Sequence, residues 1–339
     1  MYVKEISQDN IRGTLGSIGT LFQNVGILTM YAIGGYLDYY TVLYMVAGLP
    51  VMTILMMIKA PESPAFLVKK GNLEEAAVTV AFLRGLNVDD KMVQAEIDSI
   101  KREDDYFNSI PNISFLTIFK EKAWRRGFLI MFLIITIHGL NGAFSIVNYA
   151  SILLADSDVK ISPELQTLGV PIFMTIGTFI TMTTVDKLGR KVILGTAHIV
   201  SALTFASLAT SILLRDNGWS TPGWLPIVAI LVAVYAYGSG VSPIPFIIMP
   251  ELFNFQIRAK LMGCLSFTAW FLTFVQLVSF TAITSAFGVH VSFYIFAILN
   301  IIGALIVIVL LPETGGKSVD EIERELRKEK RIEEKGVSF

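Results

Sequence analysis

Eight stretches of this chain, near 13–36, 41–58, 127–154, 165–185, 192–214, 224–249, 261–287 and 291–311, run without a single Asp, Glu, Lys or Arg. A bilayer core of roughly 30 Å takes about 20 apolar residues to cross as a helix, and only a helix or a closed barrel satisfies its own main chain away from water. The expected fold is therefore an all-α membrane protein with eight transmembrane helices. Composition agrees, since 53% of the 339 residues are hydrophobic and 16% charged, where a soluble domain carries about a quarter charged residues. A net charge of −1 argues against a nucleic-acid partner held through its phosphates. The single cysteine, Cys264, and three scattered histidines form no ligand pattern, so no metal and no cofactor is expected. The lipid bilayer is the partner that follows.

Of the 27 Lys and Arg residues, all but Lys160 and Arg215 fall in alternate connections: the amino end, 59–126, 186–191, 250–260 and the segment after 312. Cytoplasmic loops retain basic residues, so these connections and both termini are expected in the cytoplasm. An even number of spans with both ends on one side argues against a seven-helix receptor. The chain also repeats itself. Glu5-Ile6, Ile11-Arg12 and Leu15 return as Glu251-Leu252, Ile257-Arg258 and Leu261. Two helices beyond each copy stand Pro61-Glu62-Ser63 and Pro312-Glu313-Thr314. Parallel halves of this kind characterise a large class of carriers. Four spans precede the second copy and none the first, so the pattern predicts four further helices in a complete product.

Five motifs stand in order: Glu5-x6-Arg12-Gly13, Pro61-Glu62-Ser63-Pro64-x2-Leu67, Asp186-Lys187-Leu188-Gly189-Arg190-Lys191, Pro243-Ile244-Pro245-Phe246-x4-Glu251-x6-Arg258 and Pro312-Glu313-Thr314-x2-Lys317. Together they resemble the sugar porter family of the major facilitator superfamily from its fifth helix onward. The run Leu140 to Ala150 is similar to the insect facilitated-trehalose-transporter branch. The resemblance implies the major facilitator fold, N-terminally truncated. Residues 1–59 would be helices 5 and 6 of the amino-terminal bundle and 60–126 a cytoplasmic helical loop. Residues 127–312 would be the carboxyl-terminal six-helix bundle and 313–339 a cytoplasmic tail. It implies transport of a hexose, trehalose or related small polar solute by alternating access in the plasma membrane. No paired acids or nucleophile with its base stand at depth, so an enzyme is not expected. A proton-coupled symporter, a transport-inactive sensor and a non-functional fragment remain alternatives, and the oligomeric state is left open.

Arginine binds carboxylates through bidentate, charge-assisted bonds, which makes Asp186, Arg190, Glu251 and Arg258 candidates for a conformational latch between halves. The resemblance gives Glu5, Arg12, Glu62 and Glu313 the matching part. Plain capping of helix ends is the alternative. Pro243 and Pro245 each remove a main-chain donor and mark a hinge.

Sugar porters bind their substrate through amides and a tryptophan, and this chain departs from that set. His138 and Gly139 stand where the resemblance puts a glutamine pair, and Phe144 where it puts an asparagine. Thr20 replaces another glutamine, Phe246 a tryptophan, and Ala269, before Trp270, a second asparagine. The candidate substrate-binding residues are Thr20, Gln23, His138, Asn141, Gly142, Ser145, Asn148, Tyr149, Phe246 and Trp270. An ionisable group at mid-bilayer marks a functional site by default. His138 is either such a group or a neutral histidine satisfied by a carbonyl, while His198 reads as structural and Asn300 and Gln276 are ambiguous. With no carboxylate in any span, facilitated diffusion is favoured over proton coupling.

Outside the spans, Asn72-x-x-Glu75 predicts a capping box on a helix that Gly85 ends. Met92, Val93, Ile97 and Ile100 predict one apolar face, and Val319–Lys335 a solvated charged helix.

Overall fold

The computed structural model describes residues 12–109, 115–155, 163–253, 255–317 and 319–327. Every regular element among them is helical, and the chain divides into two compact units, Met1–Asn112 and Ile113–Phe339. That division falls inside the expected 60–126 loop. Among the described residues, seven segments are long and apolar enough to cross a membrane: Tyr39–Met57, Lys122–Leu154, Leu165–Leu188, Arg190–Asp216, Trp224–Leu252, Ile257–Phe287 and Val289–Leu310. The eighth expectation, 13–36, forms a helix but is not among the seven. Its side chains through Leu21 lie outside the described residues, and the remainder is shorter than a full crossing.

The first unit holds α1 (Arg12–Tyr36), α2 (Tyr39–Met57), α3 (Pro64–Lys69), α4 (Leu73–Arg84) and α5 (Lys91–Ser109). Asp38 caps α2 by accepting from the Thr41 main-chain N–H at 3.0 Å, and no residue of α2 is buried. Ser63 caps α3 in the same way, with Phe66 N–H at 3.2 Å. Helices α3 to α5 share a core of Leu67, Val68, Ala76, Ala77, Val80, Ala81, Val93 and Ile97. Arg84 forks onto Glu96 at 2.6 and 3.1 Å and ties α4 to α5.

Gly85 ends α4 in the left-handed conformation at φ 64°, as its position predicts. Two details differ from expectation. Asn72 makes no side-chain bond to the main chain, because its ψ of 66° is off the extended cap geometry, and it donates to Glu75 Oε2 at 3.3 Å instead. Met92 is 68% exposed, since the buried stripe of α5 follows Val93, Ile97 and Ile100 at helical spacing and leaves Met92 one step off it.

The second unit holds α6 (Phe115–Lys120), α7 (Lys122–Leu140), α8 (Ala143–Ala155), α9 (Pro163–Leu188) and α10 (Arg190–Asp216). Next come α11 (Trp224–Ala236), a π-helical turn (Tyr237–Val241), α12 (Pro243–Leu252), α13 (Phe255–Phe287), α14 (Val289–Leu310) and α15 (Val319–Arg327). Helix α10 packs along α14 and α11, α13 along α7, and α9 against α11 and the π turn. Phe205, Phe280, Phe293 and Phe296 interlock at one level of this bundle, with centroids 5.9 to 6.2 Å apart. At another, Met131, Ile134, Leu194, Ile244, Ile248, Leu252, Leu261 and Val307 form a dry core. The outside is apolar too, with Phe267, Phe274, Leu305 and Val309 more than half exposed, as a lipid-facing surface requires.

Helix α15 is not the solvated helix its charges predict. Ile322 and Leu326, one turn apart, are buried against the start of α7. Glu323 accepts from Trp124 Nε1 at 2.9 Å, the Leu326 carbonyl accepts from Arg126 at 2.8 Å, and Arg327 pairs with Glu121 at 2.9 Å. Two apolar residues per helix are enough to dock it when both lie on one face.

Candidate functional site

The span from Trp224 to Leu252 is one helical run, but its hydrogen bonding is interrupted at the π turn. Proline lacks an N–H, so Pro243 and Pro245 leave the carbonyls four residues earlier, Ser239 and Val241, without their helical donors. The π turn frees a third, because the Ser242 N–H reaches back to the Tyr237 carbonyl at 2.9 Å and so bypasses Gly238. A bare carbonyl in hydrocarbon costs several kcal/mol, roughly, so each must find a donor elsewhere. Each does. Thr178 donates to Gly238 at 3.2 Å, Thr181 donates to Ser239, and the Nδ1–H of His138 donates to Val241 at 2.8 Å.

Those bonds require close approach. A Cβ on Gly238 would lie 2.2 Å from the Met174 carbonyl oxygen, and one on Gly177 would lie 2.5 Å from that of Tyr235. Glycines at both places let α9 and the π turn touch main chain to main chain.

With Nδ1–H committed to Val241, Nε2 has no hydrogen bond among the described residues, and in a neutral ring it is a lone-pair acceptor. The buried ring stacks on Tyr237 at 6.2 Å and meets Phe246 edge-on at 5.4 Å. Phe144 lies 5.9 Å from Tyr237 and 6.2 Å from Trp270. Phe246 and Trp270 form the open side, 37% and 58% exposed. The cluster thus offers one imidazole acceptor among four aromatic rings. Tyr237 was not foreseen; the glycine-flanked segment before Pro243 was the available signal.

Helix 127–154 is broken, and the break sets the height of His138. Gly142 carries φ +96° between α7 and α8. Asn141 caps α8, its Oδ1 accepting the Ala143 N–H at 2.8 Å while its Nδ2 donates to the His138 carbonyl. Asn300 donates to the carbonyls of Asn141 and Phe296 at 2.9 and 2.8 Å, and His198 Nδ1 meets its Oδ1 at 2.9 Å. Gln276 spans the break, donating to the Gly139 carbonyl at 2.9 Å and accepting from the Ser145 hydroxyl at 2.8 Å.

Polar candidates therefore separate into two groups. Asn141 and Ser145 are satisfied inside the bundle. Asn148 donates to its own helix at Phe144, 2.8 Å, and Tyr149 meets Thr281 at 3.0 Å beside Phe280, apart from the His138 rings. Gln23 is exposed on α1 of the first unit, and the Thr20 side chain lies outside the described residues.

A charged cluster closes another end of the second unit. Arg190 forks Nε and Nη2 onto Glu251 Oε1 at 3.2 and 2.9 Å and places Nη1 3.0 Å from Asp186. The Thr314 hydroxyl binds Glu251 Oε2 at 2.7 Å. Gly189, the residue before α10, has no side chain with which to cap it. Glu313 does so from afar, accepting the N–H groups of Arg190 and Lys191 at 2.9 and 3.1 Å. A Cβ on Gly189 would lie 2.6 Å from that carboxylate. Arg258 donates to the Phe253 carbonyl at 3.1 Å. In the first unit Glu62 is exposed, while Glu5 and the Arg12 side chain lie outside the described residues.

Burial pushes the Glu313 carboxyl up, but the main-chain donors of Gly315, Arg190, Lys191 and Thr314 outweigh it and hold it below its ordinary 4.5. A lowered folded value means that the stabilisation is complete above 4.5 and is lost as pH falls through the lowered value. Melting temperature in detergent is expected to drop on acidification below 4.5, and Glu313→Gln to shrink that drop. Parallel curves for the two proteins would contradict the capping role.

The chain is matched over residues 1–326 by the family described as sugar (and other) transporter, and it belongs to that family. It is 32% identical over 328 residues to the facilitated trehalose transporter Tret1 of Anopheles gambiae, covering 96% of this chain and 41% of that protein. It is 31% identical to a Tret1-2 homolog of Drosophila simulans, covering 67% of it. The inward-open xylose transporter XylE from E. coli superposes with a TM-score of 0.75 at 21% identity, over 96% of this chain and 68% of that one. XylE bound to 6-bromo-6-deoxy-D-glucose gives 0.67. The fold is thus that of the major facilitator superfamily, and the protein is a multi-pass membrane protein. The chain spans about two fifths of the mosquito relative's length.

Proposed function

We propose that this polypeptide serves a membrane carrier that moves a sugar or related small polar solute by alternating access, without proton coupling. The observation that carries the reading is the His138 cluster: a buried acceptor and aromatic faces at a helix break and beside a π turn, within a sugar-transporter family fold. Sugar rings present C–H faces to aromatics and hydroxyl donors to a lone pair, which Trp270, Phe246 and Nε2 supply. The charged cluster of Asp186, Arg190, Glu251 and Glu313 would change its pairing as the carrier changes state. The plasma membrane with cytoplasmic termini completes the reading.

Uptake of radiolabelled trehalose and glucose into proteoliposomes, with and without a pH gradient, tests it. Saturable downhill uptake indifferent to the gradient is expected, and no uptake of either sugar would overturn the assignment. Trp270→Ala is expected to raise KM about tenfold, the loss of one aromatic contact of about 1.5 kcal/mol.

A further inference from the structure

The two threonines that serve the π turn have a property that a fixed strut would not need. The Thr178 hydroxyl lies 3.2 Å from the Gly238 carbonyl and 3.1 Å from that of Met174, one turn back on its own helix. Thr181 stands likewise between Ser239 and Gly177, the latter at 3.2 Å. A hydroxyl has one proton, and here it has two acceptors within reach, one on each helix. When the π turn moves away, the proton can turn to its own helix and no donor is stranded. When the turn returns, the freed carbonyl is met again.

We propose that Thr178 and Thr181, together with His138, form the bearing of a hinge at Tyr237–Val241. They would be positioning residues that let the helix flex at the π turn while the carbonyls left there without helical donors stay satisfied. The placement supports this: within Tyr237–Val241 the three carbonyls without a helical donor are the three that receive a side chain, from α9 twice and α7 once. Because His138 Nε2 has no hydrogen bond among the described residues, the same imidazole would join the solute to the π turn. That link rests on the transport reading above; the bearing itself does not.

Two measurements separate them. Hydrogen–deuterium exchange of the full chain in nanodiscs reads the amides of 237–242 and 244 directly. Thr181→Val leaves the Ser239 carbonyl bare and is expected to speed that exchange about tenfold, the loss of one buried hydrogen bond. Thr181→Ser is expected to retain the slow rate. Adding Pro243→Ala to Thr181→Val returns an N–H to the Ser239 carbonyl and is expected to restore it. In uptake assays Thr181→Val should lower the maximal rate several-fold with KM within twofold, since the solute does not touch Thr181. Wild-type exchange in Thr181→Val, or no rescue by Pro243→Ala, would overturn the bearing. Absence of sugar uptake in every variant, with the exchange pattern intact, would overturn the transport reading and leave the bearing standing.

Discussion

Arg190→Ala is expected to destabilise the second unit by about 2–3 kcal/mol, toward the low end for breaking a buried ion pair because both partners retain some solvent. The Arg190 and Glu251 side chains are 12% and 26% exposed. Alanine would leave the Glu251 carboxylate with the Thr314 hydroxyl but no cation, and would release the Val185 carbonyl that Nη1 reaches at 3.3 Å. The main-chain cap from Glu313 to Arg190 would survive, so α10 should still begin at residue 190. Arg190→Lys should recover only part of the loss, since an ammonium cannot serve Glu251, Asp186 and Val185 as one planar fork does. Thermal unfolding in detergent measures all three proteins. An unchanged melting temperature in Arg190→Ala would show the cluster to be a surface pairing of little energetic consequence.

Where the sequence read correctly, it did so through constraints that act over one element. A run such as 291–311 has no alternative to crossing a bilayer, and α14 occupies Val289–Leu310. Gly85 closes α4 because its φ is positive, a property legible from residue type and position. Arg190 and Glu251, in separate motifs, meet because charged residues at the ends of spans have few partners within reach.

What escaped was set by neighbours. Two prolines announce two bare carbonyls, yet nothing in 237–245 says that Thr178, Thr181 and His138 will serve the segment, since those donors arrive from other helices. Asn148 and Ser145 look alike as polar residues at depth. Only packing sends one to its own helix and the other to Gln276. Helix α15 misled because its charge content dominates the pattern, while the two residues that dock it, Ile322 and Leu326, are few.

Gly142→Val is expected to be the most damaging single change in the second unit, through two separable effects. A β-branched residue at φ +96° is strained wherever it sits, by about 1–3 kcal/mol. The second effect is steric, as a Cβ at this position would lie 2.4 Å from the Phe296 ring, inside the interlocked Phe205, Phe280 and Phe293 cluster, where nothing flexible can yield. Overpacking a filled core adds about 1–3 kcal/mol more. Since Asn141 holds both the α8 cap and the bond from Asn300, displacing residue 142 should also shift His138 from the Val241 carbonyl. The expected outcome is low bilayer insertion and no uptake. Gly142→Ala shares the Cβ clash without the branched bulk. Combined with Phe296→Leu, which removes the obstructing ring, it should regain insertion and part of the lost stability but keep the backbone strain. Thermal unfolding of the single and double variants checks this. If Phe296→Leu brought no relief to Gly142→Ala, the helix break would owe its geometry to the loop alone, and the route from Asn300 through Asn141 to His138 would not position the imidazole.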